Sequence, residues 1–281
     1  MIAFPNAKIN LGLNIVGKRD DGYHLLETLF LPISLSDFLE ITFSSSVDDQ
    51  FFFHGLKIDT DLQYNSIYKT IHFLRKKGFS IPPLRIDFIK KIPFGAGLGG
   101  GSSDATFTLR LLNDLCHLSL SLDDMERLIG KVGADCPFFV KNTPSIGKGI
   151  GDQLKPFKEI EWEKYVITIV KPPFGINTKE AFEGITVNAE HEGELEKVLT
   201  KSIDEWKKYI WNDFEKTLFP KYPVLSNIKD SLYSLGALYA SMSGSGSTLY
   251  AISEEELSIP HDQYPYKNCF IWQGVVLSNQ H

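Results

Sequence analysis

Residues 93–105, PFGAGLGGGSSDA, hold five glycines within positions 95–101 and lie between a predicted strand and a predicted helix. Glycine adopts backbone torsions that other residues avoid, and it lets amide groups approach a ligand without a Cβ in the way. The next helix adds free N–H groups and the positive end of its dipole, and Ser102 and Ser103 add hydroxyl donors. The segment therefore predicts a phosphate-binding loop. The alternative, a structural turn with a serine cap, would give up much chain entropy without a compensating contact.

The residues after the glycine segment limit the classes of phosphate-binding loop to which it can belong. Gly95, Gly97 and Gly100 satisfy the dinucleotide pattern G-x-G-x-x-G. That fold requires a second strand ending in an acidic residue ~20 positions further on, whereas here a second helix, capped by Ser121, is predicted. The sequence also lacks the G-x-x-x-x-G-K-[ST] loop and the H-R-D and D-F-G signatures of protein kinases. These absences exclude the commonest nucleotide-binding classes.

The pattern around the loop favours an α+β fold. Residues 7–16, AKINLGLNIV, alternate apolar and polar residues, so Lys8 and Asn10 share the polar face of a predicted strand. Strands and helices mix without the regular alternation of an α/β protein. Further strands are predicted at 37–43, 84–90, 165–170 and on both sides of a loop within 238–252, and helices at 65–78, from the loop to 116, and at 121–132, 192–210 and 223–235.

Length and composition set the outer limits. The 281 residues suit one large or two ordinary domains of ~150 residues, and we place the boundary between residues 157 and 158, giving domains 1–157 and 158–281. With 29 basic and 35 acidic side chains the net charge is −6, which argues against a general binder of nucleic acid or membrane surfaces. Three dispersed cysteines form no C-x-x-C pair, and no apolar run or leader sequence is evident. We expect a cytoplasmic protein.

Three motifs carry a family resemblance. The glycine segment resembles the second motif of the GHMP small-molecule kinases, residues 7–24 resemble their first motif, and Met242–Thr248 resembles their third. All three occur in the order typical of that family. The resemblance implies a two-domain α+β GHMP kinase fold, with an N-terminal ribosomal-protein-S5-like domain, a C-terminal ferredoxin-like domain and the active site in the cleft between them. It also implies ATP-dependent phosphorylation of a small alcohol.

Within that family, the details R-x-D-G-Y-H-x-L-x-T and GADCPFF resemble the branch whose substrate carries a cytidine diphosphate group, in the non-mevalonate route to isoprenoid precursors. One alternative is a GHMP kinase for another alcohol such as mevalonate or homoserine, against which Tyr23-His24 argues. Another is a nucleotide-binding module without catalysis, against which the presence of Lys8 and Asp135 argues. The expected partner is a small molecule, with neither nucleic acid nor membrane, and the chain is expected to act as a monomer or homodimer.

Two residues are expected to perform the chemistry. Asp135 follows a helix stop in GADCP, where a carboxylate either reaches a cleft or caps the next turn; the resemblance implies that it is the catalytic base. Lys8 is either a solvated edge-strand lysine or a partner that stabilises charge on the transferred group. The residue types alone leave these alternatives open, and the resemblance favours the catalytic reading for both.

The resemblance also implies the ligand contacts. The cytosine is expected between His24, which hydrogen-bonds it, and Phe182, on which it stacks for ~1–3 kcal/mol. Thr178 is equally a candidate helix cap. Mg²⁺ is expected to arrive with ATP, and no protein residue is predicted as its ligand. Lys90 and Lys91 either touch nucleotide phosphates or end a strand in solvent. The expected ATP-binding residues are Pro93, Gly95, Ala96, Gly97, Leu98, Gly99, Gly100, Gly101, Ser102 and Ser103; the expected substrate-binding residues are Asn10, Tyr23, His24, Phe30, Thr178 and Phe182.

Overall fold

The structure is a computed structural model that describes residues 1–57, 61–187 and 189–277. This part of the chain contains twelve strands and eight α-helices. The strands are β1 (Ile2–Ala3), β2 (Asn6–Lys18), β3 (His24–Ser36), β4 (Phe38–Phe43), β5 (Gln50–Gly55), β6 (Leu84–Lys90), β7 (Ser145–Lys148), β8 (Gln153–Pro156), β9 (Val166–Lys171), β10 (Tyr239–Met242), β11 (Leu249–Ser253) and β12 (Phe270–Gly274). The helices are α1 (Ser66–Lys76), α2 (Gly100–Leu115), α3 (Leu122–Ile129), α4 (Phe138–Lys141), α5 (Thr178–Phe182), α6 (Glu194–Val198), α7 (Glu215–Lys221) and α8 (Pro223–Ser234).

The strands form three four-stranded sheets, with the orders β1-β4-β6-β5, β2-β3-β7-β8 and β10-β11-β9-β12. Most neighbouring strands are antiparallel, whereas β5 and β6 run parallel. Since the sheets are mostly antiparallel and the helices do not alternate strictly with strands, the architecture is α+β, as the sequence predicts.

The chain forms two compact units built from interleaved segments. The first unit contains Met1–Ala7, Leu35–Pro93 and Gly99–Asn142. The second contains Lys8–Ser34, Phe94–Leu98 and the chain from Thr143 onward. The glycine segment thus changes unit between residues 98 and 99. The predicted division of the sequence between residues 157 and 158 stays a prediction.

The core of the first unit lies between its sheet and the helices α1 and α2. The strand LRIDFIK buries every second residue, so Leu84, Ile86 and Phe88 share one buried face. Helix α1 presents Ile67 and Ile71 to the same core. These contacts place the end of β6 and the start of α2 side by side, which positions both ends of the glycine segment.

The core of the second unit lies on the sheet that contains the β10–β11 hairpin. Strand β11 is buried along its whole length, and helix α8 packs Leu225 and Ile228 into the core formed around it. The hairpin loop carries the third glycine-rich motif, so this packing holds that loop on a rigid base.

The predicted Ser121 cap is confirmed, and a second polar side chain caps the start of α1. The Asn65 side chain accepts the amides of Ile67 and Tyr68 and begins α1, and Ser121 forms a reciprocal capping box with Asp124. Two helix predictions are wrong in extent. Helix α3 ends at Ile129 and not at residue 132, and the region 192–210 is broken into the short α6 and a separate 3₁₀ turn. Among the described residues, no helix has the length and apolar character needed to cross a membrane.

Candidate active site

The glycine segment alternates glycines of left-handed backbone conformation with buried side chains. Gly95, Gly97 and Gly99 all have positive φ, at +56°, +72° and +68°, while Ala96 and Leu98 are buried at 3% and 1% exposure. The left-handed torsions at the glycines are costly for any residue with a Cβ. The buried pair anchors the segment, and the glycines leave its main chain partly accessible.

Residue 97 is the tightest point of the segment. A Cβ built on Gly97 would lie 2.0 Å from the carbonyl oxygen of Ser243, in the hairpin loop of the second unit. No side chain fits at that distance. Glycine at this position is therefore required both by torsion and by contact.

Three distant stretches of sequence meet at this part of the segment, all within the second unit. The Lys8 amide donates to the Leu98 carbonyl at 2.9 Å. The Ser243 hydroxyl accepts from the Asn10 amide at 3.2 Å and donates to the Gly97 carbonyl at 2.9 Å. These bonds join the first, second and third motifs into one site.

The Lys8 side chain is buried, so the reading of a solvated edge-strand lysine is wrong. It is 3% exposed, and its ammonium donates to Asn10 Oδ1 at 2.6 Å and lies 5.0 Å from the centre of the Phe30 ring. The Asn10 amide nitrogen in turn donates to the Thr28 hydroxyl at 3.3 Å. The chain Thr28–Asn10–Lys8 thus fixes the position of a buried cation.

The His24 and Phe182 rings are brought together, but not as the sequence predicts. They stack directly, with centroids 4.6 Å apart and an interplanar angle of 17°, so a base does not fit between them in this arrangement. Phe182 is held from the side by the edge of Phe214. Burial and the nearby Lys18 lower the pKa of His24, which keeps the imidazole neutral at neutral pH.

Two further predicted substrate residues lie in the same stretches of chain as this pair. Tyr23 is 60% exposed, beside His24 at the start of β3. Thr178 is the first residue of α5, whose cap is Asn177, so the reading of Thr178 as the cap is wrong. Its hydroxyl lies 3.4 Å from the Ser245 hydroxyl in the third motif.

The second half of the glycine segment starts α2 in the first unit. The helix begins at Gly100, inside the predicted loop, so Ser102 and Ser103 lie in its first turn. The Ser103 amide already donates to the Gly99 carbonyl at 2.9 Å. The amides of Gly99 to Ser102 are those that a helix N-terminus leaves without internal partners. These four amides, with the half-buried Ser102 hydroxyl, are the groups that can meet an anion.

Asp135 is held close to this first turn. The Thr106 hydroxyl bonds to the carbonyls of both Ser102 and Cys136, each at 2.9 Å, and the Ser102 side chain hydrogen-bonds Cys136. The N-cap of α4 is Pro137, and Asp135 lies in the turn that precedes it. The two alternatives for Asp135, a carboxylate in a cleft or a cap of this turn, stay predictions. Burial raises the pKa of the Cys136 thiol to about 11, so this cysteine is not a nucleophile and serves to anchor the turn.

A pocket of about 430 Å³ lies beside the N-terminus of α1 in the first unit. The same unit brings the starts of α1 and α2 together, since a Cβ on Gly101 would lie 3.9 Å from the Ser66 hydroxyl. Two helix N-termini therefore contribute positive potential near one pocket. The pocket is lined by Phe53, His54, Gly55, Leu56, Lys57, Leu62 and Asn65.

Two residues that support the third motif were not among the predicted site residues. The Asn212 amide donates to the carbonyls of Met242 and Gly244, each at 2.8 Å. Glu215 accepts from the Ser241 hydroxyl and the Met242 amide at 2.9 and 2.8 Å. Their signal in the sequence is the run NDFE directly after Ile-Trp, too short to interpret without the partner strand.

Comparison with known proteins agrees with this geometry. The family model described as GHMP kinases N terminal domain matches residues 65–143, and the model described as GHMP kinases C terminal matches residues 185–260. The glycine segment leads into a helix N-terminus and lies within the residues matched by the N-terminal model, so the chain is a small-molecule kinase that uses ATP.

The chain belongs to the GHMP kinase family. It is 44% identical to the 4-diphosphocytidyl-2-C-methyl-D-erythritol kinase of Parabacteroides distasonis, over 98% of this chain and 99% of the relative. The crystal structure of a 4-(cytidine 5'-diphospho)-2C-methyl-D-erythritol kinase superposes with a TM-score of 0.76 at 28% identity, covering 98% of this chain and 99% of that chain. Homoserine kinase from Cytophaga hutchinsonii shares the fold, with a TM-score of 0.69 at 16% identity over 98% and 95% of the two chains. The two-domain GHMP kinase fold expected from the motifs is thus confirmed.

The close approach at residue 97 gives a first prediction. Gly97→Ala places a Cβ against the Ser243 carbonyl and displaces the segment, so we expect kcat/KM for ATP to fall by about 100-fold. The measurement is steady-state ADP release at varied ATP, together with a thermal unfolding curve.

Gly95→Ala is the matched control for that variant. Its φ is also positive, at +56°, but a Cβ there meets nothing within 4 Å, so it carries only the torsional cost of about 1–2 kcal/mol. Equal losses of activity in the two variants would show that torsion, and not contact with Ser243, makes glycine necessary.

Proposed function

We propose that this chain transfers the γ-phosphoryl group of ATP to the 2-hydroxyl of 4-diphosphocytidyl-2-C-methyl-D-erythritol, giving ADP and the 2-phosphate. This step belongs to the non-mevalonate route to isoprenoid precursors. We further propose that the protein acts in the cytoplasm, as a monomer or homodimer.

The observation that carries this choice of substrate is the depth of the similarity. A relative named 4-diphosphocytidyl-2-C-methyl-D-erythritol kinase is 44% identical along nearly the whole chain. The homoserine kinase of the same fold is 16% identical. The aromatic pair of His24 and Phe182 adds a chemical reason, since a flat phenyl ring next to a neutral imidazole suits a nucleobase.

ATP is proposed to bind with its adenine in the pocket beside α1 and its phosphates at the first turn of α2. The pocket is lined by the apolar side chains of Phe53 and Leu56 together with the Asn65 side chain. Asn65 uses its oxygen to cap α1, which leaves its amide N–H groups to meet a base or ribose. The phosphates then face the amides of Gly99 to Ser102.

Asp135 is proposed to accept the proton of the substrate hydroxyl. As the hydroxyl oxygen bonds to the γ-phosphorus, the bond from that phosphorus to the bridging oxygen of ADP breaks, and the proton passes to the Asp135 carboxylate. The hydrogen bonds of Thr106 to Ser102 and Cys136 support this role, because they hold the Asp135 turn against the helix end proposed to bind the phosphates.

Lys8 is proposed to stabilise negative charge on the transferred group. A buried ammonium interacts more strongly with a phosphoryl oxygen than a solvated one does, since water screens it less. Asn10 orients the ammonium through its side-chain oxygen, and Thr28 orients Asn10. Mg²⁺ is proposed to arrive with ATP, since it binds chiefly through phosphate oxygens and water and needs few protein groups.

The cytidine end is proposed to displace the His24 ring from the face of Phe182. The base then stacks on Phe182, and His24 hydrogen-bonds its edge. The lowered pKa of His24 supports this role, because a neutral imidazole offers both a donor and an acceptor to the mixed edge of cytosine. Tyr23, Phe30 and Thr178 are proposed to border this site.

The proposed reaction is tested by a coupled ADP-release assay with 4-diphosphocytidyl-2-C-methyl-D-erythritol, mevalonate and homoserine. Turnover with the cytidyl alcohol alone is the expected result. Turnover with either of the other alcohols would assign the chain to a different branch of the family, and ATP binding without any turnover would indicate a non-catalytic protein.

The role of Asp135 gives a second kinetic prediction. Asp135→Asn removes the proton acceptor while it preserves volume, so kcat is expected to fall by ~100-fold or more with substrate binding still measurable. Asp123→Asn, an exposed carboxylate on α3, is the control. Unchanged turnover in Asp135→Asn would exclude it as the base.

The placement of the cytidine gives a third kinetic prediction. His24→Ala should raise KM for the cytidyl alcohol about tenfold, consistent with loss of a base contact, and leave KM for ATP unchanged. His261→Ala, an exposed histidine, is the control. A rise in KM for ATP instead would contradict the assignment of the two ligands to their sites.

A further inference from the structure

A buried ion cluster lies beneath the glycine segment. Lys90, the last residue of β6, is 1% exposed, and its ammonium lies 2.6 Å from Asp37 Oδ2 and 2.7 Å from Asp104 Oδ2. Neither sequence-based reading of Lys90 is correct, because it neither reaches solvent nor is accessible to a ligand. It follows Leu84, Ile86 and Phe88 on the buried face of the strand.

The cluster holds the chain where it enters the segment. The second oxygen of Asp37 accepts hydrogen bonds from the main-chain amides of Lys91 and Ile92, at 2.5 and 2.8 Å. These two residues lead directly into Pro93 and the glycines. Asp37 therefore fixes the path of the main chain just before the proposed phosphate site.

The same cluster holds the chain where it leaves the segment. Asp104 lies near the start of α2, and a Cβ built on Gly100 would be only 3.1 Å from the Lys90 ammonium nitrogen. One ammonium thus contacts the entrance of the segment through Asp37 and its exit through Asp104. Both ends lie in the first unit, and the distance between them is set by this cluster.

Stability alone does not explain the cluster. Removing three charges from water is costly, and well-packed apolar residues of similar volume often serve a core as well or better. Burial, with the neighbouring Asp37 carboxylate, raises the pKa of Asp104 to about 7 despite the opposing effect of Lys90. Within the described part of the chain, Asp104 Oδ1 has no hydrogen-bond partner. The cluster therefore retains an unfavourable free energy of desolvation that a core of apolar residues would avoid.

We propose that Lys90, with Asp37 and Asp104, is a positioning residue for ATP: it holds both ends of the glycine segment so that the main-chain amides are arranged for the triphosphate before it binds. This inference rests on the proposed binding of ATP phosphates at the start of α2. Preorganisation of this kind increases affinity because the segment does not have to be ordered during binding.

The test is the dissociation constant for ATP, measured by calorimetry on the full chain without the alcohol, together with the two KM values. In Lys90→Met we expect the Kd and KM for ATP to rise about tenfold while KM for the alcohol stays within about twofold. Lys76→Met, which changes an exposed lysine at the end of α1, should leave all three constants unchanged.

A second ion pair separates positioning from general stability. Arg75 and Asp49 form a partly buried pair in the same unit at 2.6 Å, so Arg75→Met should lower the unfolding temperature without a selective effect on ATP. A change of less than about twofold in the Kd for ATP of folded Lys90→Met, or a parallel rise in both KM values, overturns the inference.

If Lys90→Met does not fold, Asp104→Asn is measured in its place, since it keeps the volume and removes one charge. The same limits on the Kd for ATP and on the two KM values then apply to Asp104→Asn. The binding measurement also keeps this inference distinct from the proposed reaction: a wild-type chain that binds ATP but does not phosphorylate the cytidyl alcohol refutes the substrate, while weakened ATP binding in the variant still supports the role of Lys90.

Discussion

The contact between Gly97 and the Ser243 carbonyl is the constraint on which the site in the second unit depends. A Cβ at residue 97 would lie 2.0 Å from that oxygen, so the two loops approach each other only because one of them lacks a side chain. The hydroxyl of the same serine then bonds the Gly97 carbonyl and the Asn10 amide. Asn212 fixes the carbonyls on both sides of Ser243. Removing any one of these partners would leave buried polar groups without hydrogen bonds.

Two kinds of group are available for binding a ligand in this protein. At the glycine segment and the start of α2, the groups available to a ligand belong mainly to the main chain. At the start of β3 and at α5, they belong to side chains, above all the stacked rings of His24 and Phe182. The proposed chemistry draws on both, since a triphosphate suits repeated amides and a nucleobase suits a flat apolar face with a polar edge.

Short-range patterns in the sequence predict the local structure, because the Ser121 cap and the strand at 84–90 each depend on neighbouring residues. The charged composition of 192–210 predicts one helix, yet two short elements form there, since charge alone does not maintain a helix without an apolar face packed on a core. Contacts between distant residues are not predictable in this way. Lys90 carries a local signal, because a charged residue in an apolar alternation indicates a buried partner, but its two partners come from earlier and later segments. The direct stacking of His24 on another ring has no such signal.

The glycines and the buried Ala96 and Leu98 have an evolutionary consequence. When peptide groups bind a phosphate, most amino-acid replacements leave the affinity unchanged, provided the loop keeps its conformation. The site proposed for the second ligand, by contrast, depends on a few aromatic rings, and replacing them leaves the loop unchanged. A protein organised in this way can change the alcohol that it phosphorylates while it retains the same phosphate donor.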